Sequence, residues 1–187
     1  MIPPWFLRGS EARTIGDLYG TIVAQARTAA FYAHHGVPDT VEGRFDLIVL
    51  HLVLLRRFDR EDATAERWGR HGRDIGQRLF DTFCRDLDHN LREMGVSDMA
   101  VPKHMRGFGE AFYGRQAAYV AALAATDERE LEKTLARNIF GIAGGDERAA
   151  RLARYTRAAA RQLDALEASA LLAGELVFPS PETFAHA

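Results

Sequence analysis

The sequence has little cysteine, little net charge and no long apolar run. Cys84 is its one cysteine among 187 residues, so no internal disulfide can form and a reducing compartment is expected. The formal net charge of −2 provides no whole-molecule attraction for nucleic acid, and we expect no DNA partner. The longest apolar stretch, residues 45–55, contains Asp46 and His51 and is shorter than the roughly 20 residues that a membrane span requires.

No secretory signal is visible at the start of the chain, where a basic segment followed by a long apolar one would be expected. We therefore expect a cytoplasmic protein. Trp5, Phe6 and Leu7 form a short apolar segment that could serve as an interfacial anchor, which would place the protein peripherally at the inner membrane.

Sequence signatures of catalysis and of cofactor binding are also missing. No P-loop, dinucleotide fingerprint or Gly-x-Ser-x-Gly motif occurs. Asp86, His89 and Glu93 share one face of a predicted helix, but a di-iron bundle would need Glu-x-x-His motifs on two helices, and no such pair exists. We therefore predict a protein that is not an enzyme and that uses neither a metal ion nor a cofactor.

Helical periodicity is what the sequence does contain, along nearly its whole length, whereas no segment alternates with the period of two that is typical of strands. We predict an all-α, single-domain bundle of about six helices, with the apolar helix near residues 41–58 at its centre. The predicted helices span residues 11–32, 40–58, 65–94, 102–125, 128–140 and 146–172. The helical domain would occupy residues 11–174, between an N-terminal extension, residues 1–10, and an extended C-terminal tail, residues 175–187.

A group of apolar and aromatic residues beside glycines is the first candidate for a binding surface. Its members are Phe31, Tyr32, Val37, Phe108, Phe112 and Tyr113. One interpretation is that they are ordinary core residues. The other is that part of the group stays open as a groove for an apolar helix of another protein, which is a common mode of peptide recognition.

Two polar residues lie inside the predicted central helix. An unpaired buried carboxylate is costly, so Asp46 is expected to pair with a cation, and Arg44 and Arg115 are the candidates. His51 is expected to be neutral and hydrogen-bonded if it is buried, with a role as a switch or ligand as the alternative.

Several motifs occur in an order that resembles the ubiquinol–cytochrome c chaperone family. They are LYGTIVAQAR at residues 18–27, FY at 31–32, GVPDTVEGRFDLIVLH at 36–51, DHNLREMGV at 88–96 and EAFYGR at 110–115. The resemblance covers roughly residues 18–141. It implies an all-α chaperone that binds newly made cytochrome b and supports assembly of the ubiquinol–cytochrome c reductase (bc1) complex.

The motifs also imply which residues matter. These are Tyr19, Gly43, Arg44, Phe45, Asp46, His51, Phe112, Tyr113, Gly114 and Arg115. We expect Gly43 and Gly114 to allow close approach of helices. We expect Arg44, Asp46, His51 and Arg115 to form one polar network, which is either structural or part of the client site.

The sequence also leaves other partners and one other function open. Mitochondrial members of the family work at the ribosome, and Lys103, His104 and Arg106 form a small basic patch that could contact a ribosome or another acidic partner. The rival function is a cofactor- or haem-handling helical bundle with His51 or His89 as the ligand. The oligomeric state does not follow from the sequence.

Overall fold

A computed structural model describes residues 4–56 and 63–185 of the chain, with side chains for residues 12–55, 74–167 and 169–185. Every regular element in these ranges is a helix, which confirms the all-α prediction. The elements are α1 (Pro4–Ala26), α2 (Ala29–Ala33), α3 (Val41–Arg56), α4 (Ala63–Glu93), α5 (Val101–Ala124), α6 (Arg129–Ile139), α7 (Glu147–Asp164), α8 (Ala168–Leu172) and a C-terminal 3-10 helix (Pro181–Phe184).

Helix α3 is the centre of the bundle, as its sequence predicts. Residues Leu47, Leu50 and Leu54 are fully buried, and α3 packs against α1, α4, α5, α6 and α7. A helix that is apolar on all sides has no face for water, so other helices must surround it. Each fully buried leucine contributes about 2 kcal/mol of transfer free energy, so α3 contributes strongly to hydrophobic stabilisation.

The predicted first and last helices are each divided in two. The first breaks after Ala26, and Thr28 adopts an extended conformation before α2. The last ends at Asp164, and α8 follows after a short connection. Helix α4, in contrast, runs without a break through the three glycines at positions 69, 72 and 76. Each glycine costs a helix roughly 1 kcal/mol relative to alanine, a cost that this 31-residue helix tolerates.

The start of α3 depends on a tight approach of two backbone segments. Thr40 accepts a hydrogen bond from the backbone N–H of Gly43 at 3.2 Å, as the side chain of a helix N-cap does. A Cβ atom at position 43 would overlap the carbonyl oxygen of Pro38. Glycine is therefore required at this position by space and not by backbone conformation.

The C-terminal tail packs against the bundle instead of leaving it. Leu176, Phe178 and Pro181 are buried, and the 3-10 helix contacts α2 and α7. The ring of Phe178 lies 4.9 Å from that of His51 on α3, measured between ring centroids. The tail thus covers one side of the central helix.

Along the described residues, none of the helices is both long and apolar enough to cross a bilayer. The side chains of Trp5, Phe6 and Leu7, the predicted interfacial anchor, lie outside the described residues.

Candidate functional site

The structure separates the predicted apolar group into core and surface. Phe31, Val37 and Phe112 are buried, so for these three the core interpretation is correct. Tyr32 and Phe108 are half-buried. Tyr113, in contrast, exposes 53% of its surface, an unusual fraction for a large aromatic residue. Only part of the group is available to another molecule.

The exposed ring of Tyr113 belongs to an aromatic surface where α3, α4 and α5 meet. We call Phe45, Phe80, Phe108 and Tyr113 the aromatic face. Ring centroids lie 5.5 Å apart for Phe80 and Tyr113 and 5.1 Å apart for Phe45 and Phe108. The buried rings of Phe83 and Phe112 join the two pairs from below. Phe80 was absent from the predicted site, although its helical spacing from Phe83 placed it on the apolar stripe of α4.

An ion pair lies directly beneath this face. The Nη2 atom of Arg115 is 2.7 Å from Oδ1 of Asp46, so Arg115 is the partner that Asp46 was expected to find. The contact is short enough for a charge-assisted hydrogen bond, while Nε of Arg115 has no hydrogen-bond partner among the described residues. Burial raises the pKa of Asp46 to about 6, although Arg115 acts in the opposite direction.

The same arginine connects the ion pair to the aromatic face. Its guanidinium carbon lies 5.7 Å from the ring centroid of Phe45, within the range of a cation–π interaction. Beside it, the hydroxyl of Tyr119 is fully buried and has no hydrogen-bond partner within the described part of the chain. Burial raises the pKa of the Tyr119 phenol, and the Asp46 carboxylate raises it further.

His51 belongs to a separate hydrogen-bond chain. Its Nδ1 atom lies 2.7 Å from the carbonyl oxygen of Leu47, and its Nε2 atom lies 2.7 Å from the hydroxyl of Tyr155. Tyr155 also accepts a hydrogen bond from Gln25 at 3.0 Å, and Gln25 donates to the carbonyl of Pro179 at 3.1 Å. The chain therefore ties α3 to α7, α1 and the tail.

One assignment of protons satisfies every member of this chain. Nδ1 of His51 donates to Leu47, and Nε2 accepts from Tyr155, whose oxygen accepts from Gln25. Burial lowers the pKa of His51 to about 4, so the ring is neutral at pH 7. Both ring nitrogens are occupied, which leaves neither free to ligate the iron of a haem. Tyr155 and Gln25 were not predicted, because nothing in the sequence links them to His51.

Replacing Tyr155 with phenylalanine should destabilise the protein. The change leaves Nε2 of His51 without its donor and deprives Gln25 of one acceptor, and a buried unsatisfied group costs about 1–3 kcal/mol. We expect urea unfolding to show a loss of about 2 kcal/mol. Tyr113→Phe is the matched control, since that hydroxyl is on an exposed residue, and it should change stability by less than about 0.5 kcal/mol. Equal effects for the two variants would contradict the assigned hydrogen bonds.

The expected network of Arg44, Asp46, His51 and Arg115 is therefore wrong as a single unit. Asp46 and Arg115 form one pair and His51 belongs to the other chain of hydrogen bonds. Arg44 lies on the surface and bonds through Nε to Oδ1 of Asp39 at 2.7 Å. Arg44, Asp46 and His51 point in different directions from α3 and therefore contact different helices or loops. The spacing of these residues in the sequence does not identify their partners.

The two glycines of the motifs also differ. Gly43 permits the close approach described above, although to the loop at Pro38 and not to another helix. Gly114 lies on the exposed side of α5, and no heavy atom lies within 4 Å of a Cβ built there. The expectation that Gly114 allows close helix packing is therefore wrong.

The remaining predicted residues lie apart from the aromatic face or have structural contacts. Tyr19 donates a hydrogen bond to Asp86 at 2.8 Å, which joins α1 to α4, and Tyr32 donates to the carbonyl of Ala26 at 2.8 Å. His89 is exposed and lies 3.1 Å from Glu93. The predicted basic patch of Lys103, His104 and Arg106 is exposed on the first two turns of α5. Across the side chains that the structure describes, no three His, Cys, Asp or Glu residues converge as metal ligands would.

Both the sequence and the fold are similar to those of known proteins. A family model described as ubiquinol–cytochrome c chaperone matches residues 33–178, a region that contains the aromatic face and the His51 hydrogen bonds to α3 and α7. Among solved structures, the chain is similar to the Cbp3 homolog from Brucella abortus, with 34% identity, a TM-score of 0.80, and coverage of 94% of this chain and 93% of that one. None of the curated proteins matches the chain.

Proposed function

Because the chain belongs to the ubiquinol–cytochrome c chaperone family, we propose that it assists assembly of the bc1 complex by holding newly made cytochrome b on the aromatic face. The family supports the coarser part of this proposal, a chaperone acting in the biogenesis of ubiquinol–cytochrome c reductase. The identity of the client and the position of its binding surface are the finer part.

The observation that supports the aromatic face is the exposure of Tyr113 next to the half-buried ring of Phe80, with the half-buried pair Phe45 and Phe108 linked to it through buried rings. A hydrophobic client such as a cytochrome b segment awaiting its partners exposes apolar helices, and helices of this kind dock by their apolar side into surfaces lined with aromatic residues. Removal of apolar surface from water yields about 25 cal/mol per Å². The affinity for the client would therefore grow with the area that these rings cover.

The ion pair under the face gives the surface a fixed shape. Arg115 contacts Phe45 and Asp46 together, so the half-buried ring at the edge of the face is held from beneath. Pre-organised binding surfaces lose less conformational entropy on association. The Asp46–Arg115 pair therefore supports the client surface without contacting the client.

The test is replacement of Tyr113 with aspartate. A carboxylate at this exposed position should leave the fold intact, since Tyr113 lies outside the buried core, but it places a charge where the apolar client docks. We expect crosslinking in cells to recover cytochrome b at a level lower by about tenfold or more, equivalent to a loss of at least 1.4 kcal/mol. Circular dichroism and urea unfolding should resemble those of the wild type.

The matched control is Val177→Asp. Val177 is an exposed apolar residue, at 67%, but it lies in the tail and not on the aromatic face. It should recover cytochrome b at the wild-type level. Phe112→Asp is unsuitable for this test, because its ring is fully buried and any loss of binding would follow from unfolding. Wild-type recovery by Tyr113→Asp, or an equal loss with Val177→Asp, would place the client elsewhere.

A further inference from the structure

A cleft of about 660 Å³ lies at the junction of α1, α2 and α3, and none of its lining residues belongs to the aromatic face. It is lined by Arg27, Ala29, Tyr32, Ala33, Asp39 and Arg44. The break between α1 and α2 creates it, because the chain turns at Arg27 and Thr28 and returns through Asp39 to the first turn of α3. Its volume is within the range of small-molecule binding sites.

Two arginines from different parts of the chain face this cleft. Both lie near the hydroxyl of Tyr32: burial raises the pKa of that phenol, while Arg44 and Arg27 act in the opposite direction. The Tyr32 hydroxyl is fixed by its hydrogen bond to the carbonyl of Ala26. The cleft thus holds two guanidinium groups around a fixed phenol.

The cations of the cleft exceed its anions. Asp39 neutralises one of them through its bond to Nε of Arg44, and both side chains of this pair are 56% exposed. The Nη atoms of Arg44 and the whole guanidinium of Arg27 have no carboxylate partner among the described residues. Among the residues that line the cleft, two arginines against one aspartate leave one positive charge, whereas Glu42 in the first turn of α3 offsets the positive end of that helix's dipole.

The chemistry of these groups selects the ligand. Guanidinium groups bind carboxylate and phosphate through paired N–H donors. A carboxylate has two oxygens, and Asp39 already supplies one such group to Arg44. A phosphate with three terminal oxygens can accept from both arginines at once, and its larger charge suits a cleft with excess cations. We propose that this cleft binds a phosphate group between Arg27 and Arg44, carried either by a small phosphorylated molecule or by an anionic lipid.

Calorimetric titration of the full chain with glycerol phosphate, and flotation with vesicles of phosphatidylglycerol or phosphatidylcholine, test the proposal. We expect binding of glycerol phosphate at millimolar concentration, of phosphatidylglycerol vesicles, or of both. Binding of glycerol phosphate alone would assign the site to small molecules, and binding of phosphatidylglycerol vesicles alone would assign it to lipids. Arg27→Gln and Arg44→Gln should each weaken binding about tenfold, because each removes charge-assisted hydrogen bonds.

Matched variants separate the site from general charge effects. Arg161→Gln removes one positive charge from an exposed position on α7 and should leave binding unchanged. Asp39→Asn should tighten binding severalfold by freeing Arg44, whereas Glu175→Gln, at an exposed tail position, should not. Absence of binding to every phosphate probe would overturn the proposal. So would binding that Arg27→Gln, Arg44→Gln and Arg161→Gln weaken equally.

Discussion

Gly43→Ala is expected to lower the free energy of unfolding by about 3 kcal/mol, the upper range for overpacking of a close contact. The added methyl would overlap the carbonyl oxygen of Pro38, which is part of the backbone and cannot rotate away as a flexible side chain would. To remove this overlap, the loop that leads into α3 must move. That movement would break the hydrogen bond that Thr40 accepts from the N–H of residue 43. Urea unfolding followed by circular dichroism measures the effect.

Gly114→Ala is the matched control, since it makes the same chemical change inside another helix of the same family motifs. Its new methyl would meet no heavy atom within 4 Å. Alanine has the higher helix propensity by about 1 kcal/mol, so this variant should be as stable as the wild type or more stable by up to that amount. Similar losses for the two variants would show that the backbone approach at Pro38 is not what requires glycine at position 43.

Asp46→Asn is expected to change how stability depends on pH. The pKa of Asp46 rises from 3.8 to about 6 on folding, so between these values the folded protein holds a proton that the unfolded chain has released. Stability from this group is therefore lost as the pH rises from 4 to 6. His51 acts oppositely: its pKa falls from 6.5 to about 4, so stability grows as the pH rises through the same window.

The two effects nearly cancel in the wild type, and the asparagine variant removes one of them. We therefore expect the unfolding free energy at pH 6.5 minus that at pH 4.5 to be more positive in Asp46→Asn than in the wild type by about 2 kcal/mol. Each pKa unit corresponds to about 1.4 kcal/mol, and water screens part of the ion pair. Urea unfolding at the two pH values provides the measurement.

Arg115→Gln should make the difference in unfolding free energy between pH 6.5 and pH 4.5 more negative than in the wild type. Without its cation, the buried Asp46 carboxylate has an even higher pKa, so stability falls more steeply as the pH rises. Parallel pH profiles for the wild type and both variants would contradict the raised pKa of Asp46.

The parts of the fold that could be predicted are those that depend on local pattern. The apolar positions of α3 occupy all sides of one helix, and this alone required a central place in the bundle. Thr40 was identifiable as a helix cap because capping involves residues only three positions apart. The break between α1 and α2 was not predictable, since no proline or glycine marks residues 27 and 28.

The candidate site could be predicted only in part, for a related reason. Aromatic spacing along α5 shows that Phe108, Phe112 and Tyr113 lie close together, but not which of them other helices cover. Phe112 is covered by the rings of Phe80 and Phe83 from α4, and Tyr113 is left exposed. Burial is a property of the neighbours that a side chain acquires, and those neighbours come from distant parts of the sequence.

By itself, the sequence determined the all-α class, the central position of α3 and the family, because periodicity and ordered motifs are local properties of the chain. The tertiary structure alone decided the partners of the polar residues. His51 forms a hydrogen bond with Tyr155, 104 positions away along the chain. Asp46 pairs with Arg115 and not with the nearby Arg44, and the tail packs against α3. Hydrogen bonds and ion pairs form between groups that packing brings within about 3 Å, a proximity that separation along the chain does not encode.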